Sequence, residues 1–311
     1  RLTWSQPESP SEIESFVLGT LSRAVDAGDD LERLAFELGQ VNGKLRHDYV
    51  IASLLGRNEL LVRIEAMLAT IDANTTHYDR DLEEIDRSHV AAADRAQEVV
   101  AKLSPVRDLL WSIRNDRLRT IRSVFDFCGV GASTSAAAAF ISIQQVLSSL
   151  DRLEVRGRDS AGVHLMVHHA KVSATDSRVI ALAEKRLSDP LFANHAVRCV
   201  DGVWSFVYKA AAEIGELGDN TRAMRQAVAG DALLRLLVSQ PGARLSVLGH
   251  TRWASVGIIS EANAHPVNSE EIEVDAAMPY LVSALNGDVD NHADIKVRNG
   301  LKIAEPITTD A

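Results

Sequence analysis

Arg252 and Trp253 stand in the run Gly249-His250-Thr251-Arg252-Trp253-Ala254-Ser255-Val256-Gly257, which continues to Asn263-Ala264-His265-Pro266. A cation, an indole, a hydroxyl and imidazoles within one turn-rich stretch suit recognition of a small polar ligand. The planar fork of Arg252 can hold a carboxylate through two parallel hydrogen bonds, a geometry that lysine cannot reproduce. Bulky polar groups directly after an apolar strand are where a fold presents chemistry rather than core. Arg244–Leu248 reads as that strand, short and buried, with Gly249 ending it. The competing reading is an arginine salt-bridged to a neighbour beside a half-buried tryptophan. This stretch alone leaves both open.

Other candidates carry less by themselves. Cys128 lies among small residues in Val124-Phe125-Asp126-Phe127-Cys128-Gly129-Val130-Gly131-Ala132, a run of β-type residues broken by glycines. Asn286-Gly287 is by itself the signature of a tight turn. His168 and His169 end a strand over Val163–Val167, and adjacent strand residues face opposite ways, so the pair does not chelate a metal. His195 and Cys199 are four apart, an i,i+4 metal edge if helical, but two ligands make a weak site. His47, His77 and His89 lack ligand spacing and read as solvated surface.

These residues need elements to hold them. Ser11 and Glu14 form an S-x-x-E capping box before a helix with Ile13, Phe16, Val17, Thr20, Leu21 and Ala24 on one face. A second helix starts at Leu31, and a third runs through Val50 to Ile71. A fourth, long and polar, spans about Tyr78 to Leu103, and Pro105 opens a further one. Residues 1–122 therefore read as a helical extension without a catalytic constellation. From Ser123 the texture changes to strand-like and glycine-rich segments around a helix at Ala136–Leu153. Residues 176–240 return to helix, with a strand-like interlude at Val200–Val207.

Composition narrows the classes. A chain of 311 residues, 46% hydrophobic and 24% charged, holds enough apolar residues for a sizeable core and about two domains. A formal net charge of -10 argues against nucleic-acid binding, which needs a basic footprint. No apolar run approaches the roughly 18 residues of a membrane span, and no signal-peptide core opens the sequence. With only two cysteines, a disulfide framework is not expected, and a cytoplasmic setting is.

Taken in order, Cys128 with its glycines, Leu153–Gly162, His250–Gly257, Ser260–Pro266 and Asn286–His292 resemble the glutaminase domain of the glutamine–fructose-6-phosphate aminotransferase (glucosamine-6-phosphate synthase) family. That family's motifs read roughly C-G-I-V-G, L-E-Y-R-G-Y-D-S-A-G, H-T-R-W-A-T-H-G, S-E-V-N-A-H-P and H-N-G-I-I-E-N-H. The resemblance covers about residues 124–311. It implies an α+β fold, the αββα sandwich of N-terminal-nucleophile hydrolases, following the all-α extension. It further implies a class II glutamine amidotransferase without a cofactor or metal. Cys128 would attack the glutamine side-chain amide, and Asn286 with the Gly287 N–H would form the oxyanion hole. Arg252 would clamp the α-carboxylate and Asp310 the α-ammonium, with Trp253, Ser255 and His265 shaping the pocket. Ammonia would pass to a sugar phosphate held on another domain. A homo-oligomer is among the arrangements such an enzyme adopts.

The chain also departs from the family. In this chemistry the free α-amino group of the cysteine is the base, yet 127 residues precede Cys128. Either the Phe127–Cys128 bond is cleaved, as in propeptide-bearing relatives such as glutamate synthase, or the module is catalytically silent and serves regulation or assembly. Val256 replaces the motif histidine, and Asp288 replaces an apolar residue after Asn-Gly. Segment 176–240 exceeds the family's length, which suggests an added helical excursion. The chain ends part-way through the implied sandwich, so a piece of a longer protein is expected.

Overall fold

A computed structural model describes residues 8–84, 90–129, 131–173, 175–212, 216–269 and 280–310. Ile85, His89, Val130 and most of the apolar run 273–285 lie outside the described residues. The chain divides into two compact units, Arg1–Phe125 and Asp126–Ala311. The fold is α+β, and among the described residues no helix is long and apolar enough to cross a membrane.

The first unit is helical: α1 (Pro10–Val25), α2 (Leu31–Lys44), α3 (Asp48–Leu54), α4 (Asn58–Thr75), α5 (His77–Glu84), α6 (Val90–Ser112), a π-helical turn (Ile113–Leu118) and the start of α7 (Arg119–Cys128). The capping box of α1 is Ser9 with Glu12 rather than Ser11 with Glu14. Pro10 explains the shift, because a proline at the first helical position is pre-set in φ and loses no needed N–H. Glu14 instead takes Arg57 at 2.5 Å and Arg63 at 3.3 Å. Phe16 is partly exposed, with the Lys44 ammonium 5.1 Å from its ring centroid. The third expected helix is two, broken at Gly56, whose φ is +76. Pro105 does not open a helix but lies inside α6. Leu103, Val106, Leu110 and Ile113 form one buried stripe across it. Burying that stripe outweighs the roughly 3 kcal/mol of a mid-helix proline.

Two further expectations change from α7 onward. Val124–Cys128 is not strand but the last turns of α7. Ile121, Val124, Phe127 and Cys128 are buried at spacings of three, three and one, a helical face rather than a period of two. Segment 176–240 carries the expected strand-like interlude, but that interlude belongs to the main sheet, so the segment is not simply a helical excursion. It contributes α9 (Ser177–Ala183), α10 (Asp219–Gly230) and α11 (Ala232–Val238), and also two strands of the sheet, β2 (Val197–Val200) and β3 (Val203–Ala210).

With β1 (Ser160–His168) and β4 (Arg244–Arg252), these strands form an antiparallel sheet of order β2-β3-β1-β4. Its register puts Val163, Leu165 and Val167 beside Tyr208, Phe206 and Trp204, and beside Gly249, Val247 and Leu245. Helix α8 (Thr134–Leu153), capped by Ser133, packs on this apolar face at β4, and α10 packs at β1 and β3. Gly249 does not end the strand. A Cβ there would sit 2.5 Å from Val146 of α8, so the glycine lets helix and sheet approach. As an edge strand, β4 is half-exposed rather than buried. The alternate residues form a second face: Ser160, His164, Ser205, Lys209, His250 and Arg252. The segments after β4 lie against it, including β5 (Val267–Asn268), paired with β6 (Val282–Ser283). Helix α12 (His292–Asn299) follows.

Candidate functional site

The polar face is where the sequence motifs meet. Gly162, paired with His250, carries no side chain because a Cβ would lie 2.5 Å from the His265 carbonyl oxygen. A Cβ on Gly157 would crowd the Arg252 carbonyl carbon at 3.2 Å. The Asp159 N–H donates to the Arg252 carbonyl at 3.2 Å, and its carboxylate accepts from the Ala254 N–H at 2.8 Å. The Arg-Gly-Arg-Asp segment thus shapes the loop that carries Trp253 and Ser255.

Beside that loop lies a cleft of about 290 Å³. Arg156, His250, Thr251, Arg252, Trp253 and Ser255 line one part of it. His265, Leu285, Asn286, Gly287 and Asp288 line another, and Thr309 and Asp310 complete it. Arg252, Trp253, Ser255, His265, Asn286, Gly287 and Asp310 are therefore brought to one place from four separate segments. Trp253 stands at the rim, 72% exposed, whereas Arg252 is only 5% exposed.

The charges are fixed by backbone. Arg252 donates to the Ile258 carbonyl at 3.4 Å and to that of Val256. Burial pushes its guanidinium below the ordinary arginine value, against the opposing pull of Asp310 and Asp159. Asp310 accepts from the Val289 N–H at 2.6 Å. Ser255 and Asp288 are hydrogen-bonded to each other, joining the two rims. His265 accepts from the Leu285 N–H at Nδ1, 3.4 Å, so its proton sits on Nε2, which donates to the Thr309 hydroxyl at 3.3 Å. Burial first, then the neighbouring His250, Arg252 and Lys209, lowers His265 to about 4. The His250 ring lies 5.1 Å from it and is lowered for the same leading reason, burial. Elsewhere on this face His164 bonds the Tyr280 hydroxyl at 2.7 Å, and burial brings it to about 3. At neutral pH these imidazoles are uncharged, so the cleft's formal charges come from the arginines and the aspartates.

Cys128 is not among the residues that line the cleft. It is buried in the last turn of α7, where Arg235 donates to the adjacent Phe127 carbonyl at 3.1 Å. Burial raises its thiol to about 11, although Arg235 pulls the other way. The C-terminal end of a helix also disfavours a thiolate. Cys199 lies in β2 on the apolar face, with its thiol raised by burial. His195 precedes β2 in a loop, so the i,i+4 edge with Cys199 is not formed. Among the described residues, no group of three or more histidine, cysteine or acidic side chains is placed to hold a metal ion.

Three residues near the cleft had no role from the sequence. Asn263, wholly buried, ties Ser260 to segment 306–309. Asp159 braces the Trp253 loop, and Thr309 holds His265. All three stand inside or beside quoted motifs, but their partners are up to 95 positions away, which spacing does not reveal. Comparison with family models, with curated proteins and with solved structures found no match for the chain.

Proposed function

We propose that this cleft binds free L-glutamine, as the glutaminase site of a glucosamine-6-phosphate synthase-like amidotransferase. The observation that carries the reading is the convergence of Arg252 and Asp310 on one small cleft with Asn286 and Gly287. A zwitterionic amino acid needs one held cation for its carboxylate and one held anion for its ammonium, and these two supply them. The cleft volume of about 290 Å³ suits a ligand of amino-acid size. The neutral His265 adds no second cation to compete for the carboxylate.

In the active form, the Cys128 thiolate attacks the side-chain carbonyl carbon. Asn286 and the Gly287 N–H receive the charge that develops on oxygen. Collapse of the tetrahedral intermediate expels ammonia, with the free α-amino group of Cys128 moving the proton. Water then hydrolyses the thioester to glutamate, and the ammonia passes to a sugar phosphate on a domain outside this chain. This requires cleavage at Phe127–Cys128 and unwinding of the end of α7, after which the unit would complete the N-terminal-nucleophile sandwich.

A second reading has its own observation. Cys128 in the intact chain is helical, buried and not among the residues that line the cleft. On that reading the cleft still binds glutamine, and the module acts as a silent sensor with the helical unit serving regulation or assembly. A glutamine analogue bearing an electrophile separates the two. Labelling of Cys128 and not Cys199, in protein whose mass starts at Cys128, supports the enzyme. Absence of labelling in both intact and cleaved protein supports the sensor.

A further inference from the structure

The segment 306–310 reaches the cleft as a strap with almost no secondary structure of its own, and Asp310 is its working end. What holds a strap in one place decides where that carboxylate sits. Asn263 is 0% exposed and spends its whole side chain on this task. Its Oδ1 accepts from two successive backbone groups, the Thr308 N–H at 2.6 Å and the Thr309 N–H at 2.9 Å. Its Nδ2 donates to the Pro306 carbonyl at 3.3 Å and to the Ser260 hydroxyl at 2.9 Å. An amide offers two donors and an acceptor with two lone pairs, and here all four positions are filled. No carboxylate or hydroxyl side chain offers that combination.

Neighbouring contacts hold the strap by its depth and by its threonine hydroxyls, that of Thr309 against His265 at 3.3 Å, whereas Asn263 holds its backbone. Gly257, at φ +83, passes so close that a Cβ would meet the Thr308 carbonyl oxygen at 2.6 Å. The Ile258 N–H donates to the Thr308 hydroxyl at 3.0 Å. Asp310 follows one residue after the second N–H that Asn263 receives, and its carboxylate reaches the Val289 N–H on the opposite rim. A slip of the strap by one residue would turn Asp310 away from the cleft.

We infer that Asn263 is the positioning residue that sets Asp310, and hence the site's preference for a ligand carrying an α-ammonium group. The inference rests on the glutamine reading of the cleft. Asn263 touches no ligand and acts only through the strap. Loss of its amide frees two backbone N–H groups and one carbonyl, and the backbone that carries Asp310 then loosens. The carboxylate clamp at Arg252 is untouched, so binding of a ligand without the ammonium is unaffected.

The test compares L-glutamine with 4-carbamoylbutanoate, the same molecule lacking the α-amino group, by titration calorimetry. It uses wild-type protein, Asn263→Ala, Asn263→Asp and Asp310→Asn, together with amide exchange at Thr308 and Thr309. Asn263→Ala is expected to weaken glutamine by at least about tenfold, the scale of losing buried hydrogen bonds, and to leave 4-carbamoylbutanoate within about twofold. Asn263→Asp, which keeps the acceptor oxygens, recovers part of the loss. The double variant with Asp310→Asn is no weaker than Asp310→Asn alone. Exchange at Thr308 and Thr309 accelerates in Asn263→Ala while the β1 amides keep their protection. Equal losses for both ligands, or unchanged exchange at the two threonines, overturn the inference. If wild-type protein binds neither ligand, the glutamine reading falls, and the exchange result alone decides whether Asn263 holds the strap.

Discussion

The two faces of the four-stranded sheet are made by the same strands under opposite rules. On one, Val163, Leu165, Trp204, Phe206 and Tyr208 lie under α8 and α10, and nearly every atom is apolar. A charged network there, Tyr208 with Asp231 and Arg186, is closed: Arg186 holds both Asp231 oxygens at 3.0 and 2.7 Å. On the other face, Ser160, His164, Ser205, Lys209, His250 and Arg252 are buried or half-buried beneath irregular chain. Apolar packing is undirected and tolerates helices that approach at a range of positions. Polar groups need partners at defined angles, so turns and a strap rather than helices cover that side. The first face supplies stability, and the second exchanges some of it for placed charge.

That contrast yields predictions that can break it. Phe206→Ala should destabilise the protein by about 3–5 kcal/mol, whereas Ser205→Ala, one residue on and facing the other way, should change stability by less than about 1 kcal/mol. Chemical denaturation of both variants measures this. Comparable losses would mean the two faces do not differ as described. Arg252→Lys should reverse the pattern. Stability should stay within about 1 kcal/mol while glutamine affinity falls about 10- to 100-fold, since the paired charge-assisted bonds to the carboxylate are lost. Titration calorimetry beside a melting curve reads both.

The pH response should come from the polar face. His164, His250 and His265 are held below the ordinary imidazole value by burial, His265 at about 4 and His164 at about 3. The unfolded chain therefore binds protons that the folded chain refuses. Stability should be full above about pH 6.5 and should fall as pH drops from there towards about 4. Melting temperature measured across that window checks the sign, and His265→Gln should flatten the slope. A curve that rises on acidification would contradict the neutral imidazoles. The smallest effect is expected at the exposed Ser255–Asp288 bridge. Asp288→Ala should alter stability by no more than about 1 kcal/mol and should chiefly quicken ligand exchange across the rim, visible in binding kinetics.

Much of the helical unit is legible in the sequence, because an apolar stripe of period 3.6 survives as the buried face of α1, α2 and α4. Punctuation is less legible. Pro105 sits inside α6 because its neighbours' burial overrides it, and Gly56 breaks a helix where the apolar pattern runs on. Val124–Cys128 has β-type residues but helical spacing, and spacing governs which side chains can be buried together. The site's residue types were legible as motifs. Their convergence on one cleft was not derivable from spacing, since Asp159, Asn263 and Thr309 act on partners far along the chain. Nor does a motif reveal that its cysteine is helical in the intact chain, since that depends on what precedes it.

Arg252 and Asp310 are proposed to form a glutamine clamp. Titration of L-glutamine into wild-type protein, Arg252→Lys and Asp310→Asn, each checked for an unchanged melting temperature, tests it most directly. Saturable binding to the wild type and at least about tenfold weaker binding to each variant are expected. Absence of binding to the wild type, or equal affinity in all three, would contradict it.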